Sequence, residues 1–204
     1  MRWITRICAT LALATATAAL AAPGVRVQVL APGLDSAQVD ALEASLSLYA
    51  ERTRRKPQAA RVARLHARAP DELRTALEAL GYYRPAIAPG LERDADGTWQ
   101  ARYAVTPGPP LPVASTEVRV LGPGRDDPAL TAAAQAFPLR PGDRLDHGAY
   151  AAGKAALART AADRGYLDAR FAAHRVEVDL RAYQARVVLD LDTGSRYRFD
   201  AVQF

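Results

Sequence analysis

One cysteine in 204 residues leaves almost no room for thiol chemistry. That residue, Cys8, lies inside an uncharged Ala/Leu/Thr-rich run from Ile7 to Ala22, behind Arg2 and Arg6. A basic start, a short apolar run and the small-x-small triplet Ala19, Leu20, Ala21 have the layout of a secretory signal peptide over residues 1–21. The run holds about 16 residues, short of the ~20 that cross a bilayer. A mature chain from Ala22 would have no cysteine at all, which excludes disulfides and thiolate metal sites and suits export to a bacterial periplasm. Also missing is any series of ten-residue amphipathic strands, of which a membrane barrel needs at least eight.

Catalytic constellations are equally scarce. His66, His147 and His174 stand apart, with no carboxylate or histidine at metal-ligand spacing, and His147 beside Asp146 reads as an exposed first-turn residue. No serine occupies a Gly-x-Ser-x-Gly turn, no glycine-rich phosphate loop precedes a helix, and aromatics do not interleave with basic residues as single-stranded nucleic acid would require. Asp192-Thr193-Gly194-Ser195 has the local form of an aspartic-protease motif, but that chemistry needs two carboxylates sharing a proton and there is no second copy. It reads as a turn. The expectation is a protein that is not an enzyme, has no cofactor and does not bind nucleic acid.

What the chain does have is a repeat. Leu73, Leu77 and Leu80 line one helical face and run into Gly81 and Tyr82; 84 positions later Leu157 and Ala161 run into Gly165 and Tyr166. Thr106-Pro107-Gly108 and Asp192-Thr193-Gly194 close apolar runs with their glycines 86 positions apart. This period is too long for a solenoid unit, so each repeat should be a small domain with its own core.

Within each unit the patterns follow one order. Val25–Leu30 alternates as a strand, Asp35 and Gln38 form a capping box ahead of Val39, Leu42 and Leu46, and helical spacing resumes after a polar connector at Glu51–Pro57, with a break or a fresh start expected at Pro70. Strands then follow at Ala86–Glu92 and Trp99–Val105. Unit two offers Thr116–Leu121, helices opened by Asp127 and Asp146, then Phe171–Asp179 and Ala185–Leu191. The fold class is α+β: tandem β-α-α-β-β domains, each a three-stranded mixed sheet covered on one face by two helices. Boundaries are placed at 22–108 for the first domain, 109–113 for a stiff proline-rich linker, 114–194 for the second domain and 195–204 for the first strand of an incomplete third.

This order, with the Gly81-Tyr82 and Gly165-Tyr166 turns and the segment Gly194-Ser195-Arg196-Tyr197-Arg198-Phe199, resembles polypeptide-transport-associated (POTRA) domains. LEALGYYRP, AVTPGPP, DRGYLDARF and TGSRYRFDAVQF are similar to the periplasmic part of the TamA family, outer-membrane subunits of the translocation and assembly module. The resemblance implies a periplasmic module that receives or orients unfolded outer-membrane and autotransporter polypeptides and faces a TamB-like inner-membrane-anchored subunit. It would be outer-membrane associated if a C-terminal barrel exists in the full gene product. The POTRA region of a two-partner-secretion transporter and a stand-alone periplasmic scaffold are the alternative readings.

Three sets of residues are candidates for function. Gly81, Tyr82, Gly165 and Tyr166 are structural turns. Arg175, Val176, Glu177, Val178 and Asp179 form a proline-free edge for strand addition, whereas unit one carries Pro85, Pro89 and Gly90 at the equivalent place. Between Glu51 and Arg68 seven basic residues face one acid; Arg54, Arg55, Lys56, Arg61, Arg64 and Arg68 form a candidate patch for anionic lipid or an acidic partner.

Overall fold

The computed structural model describes residues 24–54 and 56–198. The expected signal peptide, Arg55 and residues 199–204 lie outside the described residues. The first unit contains β1 (Val25–Leu30), α1 (Ser36–Ser45), a 3₁₀ helix (Ser47–Thr53), α2 (Ala59–Ala79), β2 (Ala86–Arg93) and β3 (Trp99–Thr106). The second contains β4 (Val113–Leu121), α3 (Pro128–Gln135), α4 (His147–Asp163), β5 (Arg170–Asp179) and β6 (Gln184–Asp192). Each forms a three-stranded mixed sheet, in the orders β1-β3-β2 and β4-β6-β5. The first strand pairs parallel with the third, and the second pairs with it antiparallel.

Local chemistry sets the helix ends. Asp35 accepts from the Gln38 amide while the Gln38 side chain returns to the Asp35 amide, a complete capping box. Asp127 caps α3 ahead of Pro128, and Asp146 caps α4. At the other end, α2 finishes in a Schellman turn: Tyr82 N–H donates to the Leu77 carbonyl and Gly81 N–H to that of Glu78. α4 repeats it through Tyr166 to Ala161 and Gly165 to Ala162. Gly81 and Gly165 take φ of +83° and +88°, where a Cβ would be strained.

Pro70 neither starts nor breaks a helix; it sits within the 21-residue α2. A proline there forfeits the bond to the His66 carbonyl and disfavours a helix by roughly 3 kcal/mol. The buried row Val62, Leu65, Ala69, Leu73 and Leu77 spans both sides of it, so tertiary packing overrides the local preference. The polar stretch expected as a connector from Glu51 is in part the end of the 3₁₀ helix, which buries Leu48 and Glu51.

Two cores result. The first gathers Val29, Leu42, Leu48, Leu73, Leu77 and Tyr103. The second gathers Leu111, Leu130, Leu145, Leu157, Leu189 and Leu191. Tyr103 is completely buried, its hydroxyl bonded to His66 Nδ1 at 2.9 Å, and burial pushes its pKa upward.

Candidate interaction surfaces

Gly81 and Tyr82 hold the two units together as well as closing a helix. The carbonyl of Gly81 accepts from Leu111 N–H at 2.8 Å, and the Leu111 carbonyl accepts from Leu145 N–H at 2.8 Å. Leu111 itself is completely buried in the second core. The expected linker 109–113 is thus fastened to both units, with Val113 already in β4. Tyr82 receives a bond from Arg144, whose guanidinium lies 5.2 Å from its ring. Tyr83 packs against the second core and its hydroxyl meets His147 Nε2 at 2.8 Å, so His147 is not merely an exposed first-turn residue. Arg84 stacks on Tyr183 and donates to the Leu180 carbonyl.

The same corner recurs at the end of unit two. Gly165 accepts from Tyr197 N–H at 2.7 Å, and Tyr197, like Leu111, stands three residues beyond a positive-φ glycine. Tyr166 is nearly buried in its own core, with Arg196 above its ring. Tyr197 donates to the Asp168 carboxylate. Asp192-Thr193-Gly194 is a packing turn. Thr193, wholly buried, accepts from Gly124 N–H and donates to the Leu121 carbonyl.

The candidate strand-addition residues lie on β5, an edge of its sheet. Val176 and Val178 turn toward the core, while Arg175 and Glu177 pair with one another on the outer face at 2.6 Å. A register shift between Phe171 and Ala173 precedes this stretch, and from His174 to Asp179 the pairing with β6 is continuous. On the same outer face, Arg119 grips Asp190 with two bonds of 2.7 and 2.8 Å and holds its carboxyl below the usual carboxylate range. In unit one the edge strand β2 carries Pro89 opposite Tyr103.

The basic candidates divide. Arg54 and Arg61 both reach the buried Glu51 carboxylate, at 3.4 and 2.9 Å, so part of their charge is compensated. With Lys56 they line a cavity of about 350 Å³. Arg64 and Arg68 are exposed farther along α2 and take no part in that cavity. His174 lies edge-on to Phe171. Among the described residues no group of His, Cys, Asp or Glu could hold a metal ion, and no helix is long and apolar enough to cross a membrane.

Sequence reasoning missed Tyr83, Arg84, Arg144 and His147 as contacts between units. The doubled aromatic after the Gly81 cap was the available signal: one ring closes its own unit, so the second is free for another.

Residues 28–107 match the family described as POTRA domain, TamA domain 1. By this match the first unit is similar to a POTRA domain. The second shows the same order of strands and α-helices and the same sheet pairing, without the 3₁₀ helix. Among solved structures, the chain is similar to POTRA domains 3–5 of BamA from Haemophilus influenzae, at 16% identity and a TM-score of 0.46, over 85% of this chain and 67% of that one. It is also similar to POTRA domains 1–3 of Omp85 from Anabaena, at 17% identity and 0.37, over 83% and 60%. CdiB from Escherichia coli follows at 17% and 0.31, over 89% of this chain but 29% of CdiB.

Proposed function

We propose that this chain is the periplasmic interaction region of an outer-membrane protein or autotransporter assembly factor of the TamA kind, receiving unfolded client polypeptide and facing a TamB-like inner-membrane-anchored subunit. The match of residues 28–107 to a TamA POTRA domain carries this reading. The signal-peptide pattern before Ala22 agrees with a periplasmic location. Client strands would add to the open edge of β5, where Arg175–Asp179 contains no proline to interrupt a backbone ladder. The charges on Arg175 and Glu177 discourage indiscriminate pairing but leave the backbone donors in place. The basic patch on α2 supplies a surface for an acidic partner or anionic lipid.

The test is Val176→Pro. The folded variant, verified by circular dichroism and its unfolding midpoint, is expected to lose binding of an unfolded outer-membrane client peptide, while a matched proline at Leu91 in β2 leaves binding intact. Undiminished binding by folded Val176→Pro refutes β5 as the acceptor.

A further inference from the structure

The two units treat their first strands differently. In unit one, Val29 of β1 pairs with Tyr103; in unit two, Val118 of β4 pairs with Leu189, which stands 86 positions beyond Tyr103, the same offset as between Gly108 and Gly194. Val118 is therefore the register counterpart of Val29. Val29 is sealed. It is 3% exposed, the 3₁₀ helix Ser47–Thr53 lies against its strand, and its N–H is taken by the Glu43 carboxylate at 2.9 Å.

Val118 is only half-buried, and unit two has no 3₁₀ helix between its helices. α3 buries Leu130, but seven residues beyond its capping Asp127 it has Ala134, where α1 has the large and buried Leu42 seven beyond Asp35, and Ala134 lines the space beside β4 with Thr131. The space left between β4 and α3 is a groove of about 470 Å³ with Val118 and Val120 as its floor. That is within the range of about 300–1,000 Å³ common for ligand sites. Arg125 and Arg140 line it and no carboxylate does, although Arg125 also pairs with the exposed Asp126 at 3.1 Å outside the lining. Arg125 follows the end of β4, while Arg140 belongs to the turn whose Asp143 carbonyl binds Val113 N–H at the strand's start. The groove is thus apolar in the middle with an arginine at each end, beside an edge strand. Thr116 Oγ1, buried at its wall, has no hydrogen-bond partner.

We propose that this groove is a peptide-docking site distinct from β5, taking an extended polypeptide segment with two aliphatic side chains at alternate positions flanked by carboxylates on the same face. The segment adds to the free edge of β4 by backbone bonds. Its aliphatic side chains cover Val118 and Val120 as unit one's own chain covers Val29, and its carboxylates meet Arg125 and Arg140. The proposal does not depend on strand addition at β5.

The probe is a fluorophore-labelled Asp-Ser-Leu-Ser-Leu-Ser-Asp peptide, titrated with the full chain by fluorescence anisotropy. Ala134→Leu fills the groove, and Thr131→Leu is a second filling variant on the adjacent turn. Each is expected to bind about tenfold or more weakly, with an unfolding midpoint equal to or above that of the parent. Arg125→Gln with Arg140→Gln is expected to weaken binding by a similar factor and to flatten its salt dependence. A peptide with lysine in place of aspartate should not bind. Val176→Pro, which perturbs β5 alone, should bind normally. Unchanged affinity in both filling variants, equal binding of the lysine peptide, or loss of binding in Val176→Pro each overturns the proposal.

Discussion

Gly81→Ala, compared with Gly33→Ala, separates backbone strain from the contact between units. Both glycines have positive φ, +83° and +94°. A Cβ at Gly33 meets nothing within 4 Å, so its cost is the left-handed conformation alone, about 1 to 2 kcal/mol. At Gly81 the same atom would overlap the Leu145 carbonyl oxygen and press on Arg144. Leu145 must then retreat, and the bonds from Leu111 to Gly81 and from Leu145 to Leu111 break with it. At about 1 kcal/mol net for each bond, Gly81→Ala should cost about 3 to 4 kcal/mol in all. Urea unfolding of both variants, followed by circular dichroism for the whole chain and by Trp99 fluorescence for the first unit, gives the difference. Equal losses at the two positions, within about 0.5 kcal/mol of each other, would show that Gly81 matters only as a helix cap.

Thr193→Val, at a completely buried residue, leaves Gly124 N–H without its acceptor, while the Leu121 carbonyl keeps its bond from Thr193 N–H, and should destabilise by about 1 to 3 kcal/mol in the same unfolding assay. For Asp190, the Arg119 pair lowers the folded pKa, so its contribution to stability is present above the unfolded value near ~3.9 and is lost as pH falls through the folded one. Asp190→Asn should therefore flatten the fall in melting temperature below about pH 4 and leave its slope near neutrality unchanged.

The architecture was legible because its signals are local. Apolar spacing along α2 and α4, aspartates at three helix starts and a glycine followed by tyrosine at two helix ends each depend on neighbours within one or two turns. The repeat of these signals indicated two units even where their side chains differ. Pro70 was misread because its cost is local while the burial that outweighs it comes from both sides of α2. The Tyr83–His147 bond joins residues 64 apart, and nothing in the local pattern of either one predicts the other. The groove beside β4 was hidden for another reason. It arises from what unit two lacks, a 3₁₀ helix and a leucine seven residues beyond the aspartate that caps its first helix, and such a gap shows only when two copies of the fold are compared in register.

The Gly81 corner also sets an order of events when the chain emerges N-terminus first into the compartment where it folds. Residues through Thr106 complete the first sheet, yet the Gly81 carbonyl must wait for Leu111, and Tyr83 for His147. For that interval the first unit can bury its own leucines while showing water an aromatic ring that belongs to its neighbour. An exposed ring of this kind is a handle for chaperones and a liability for aggregation. Arrival of α4 hides it, so the appearance of the second unit is what matures the surface of the first.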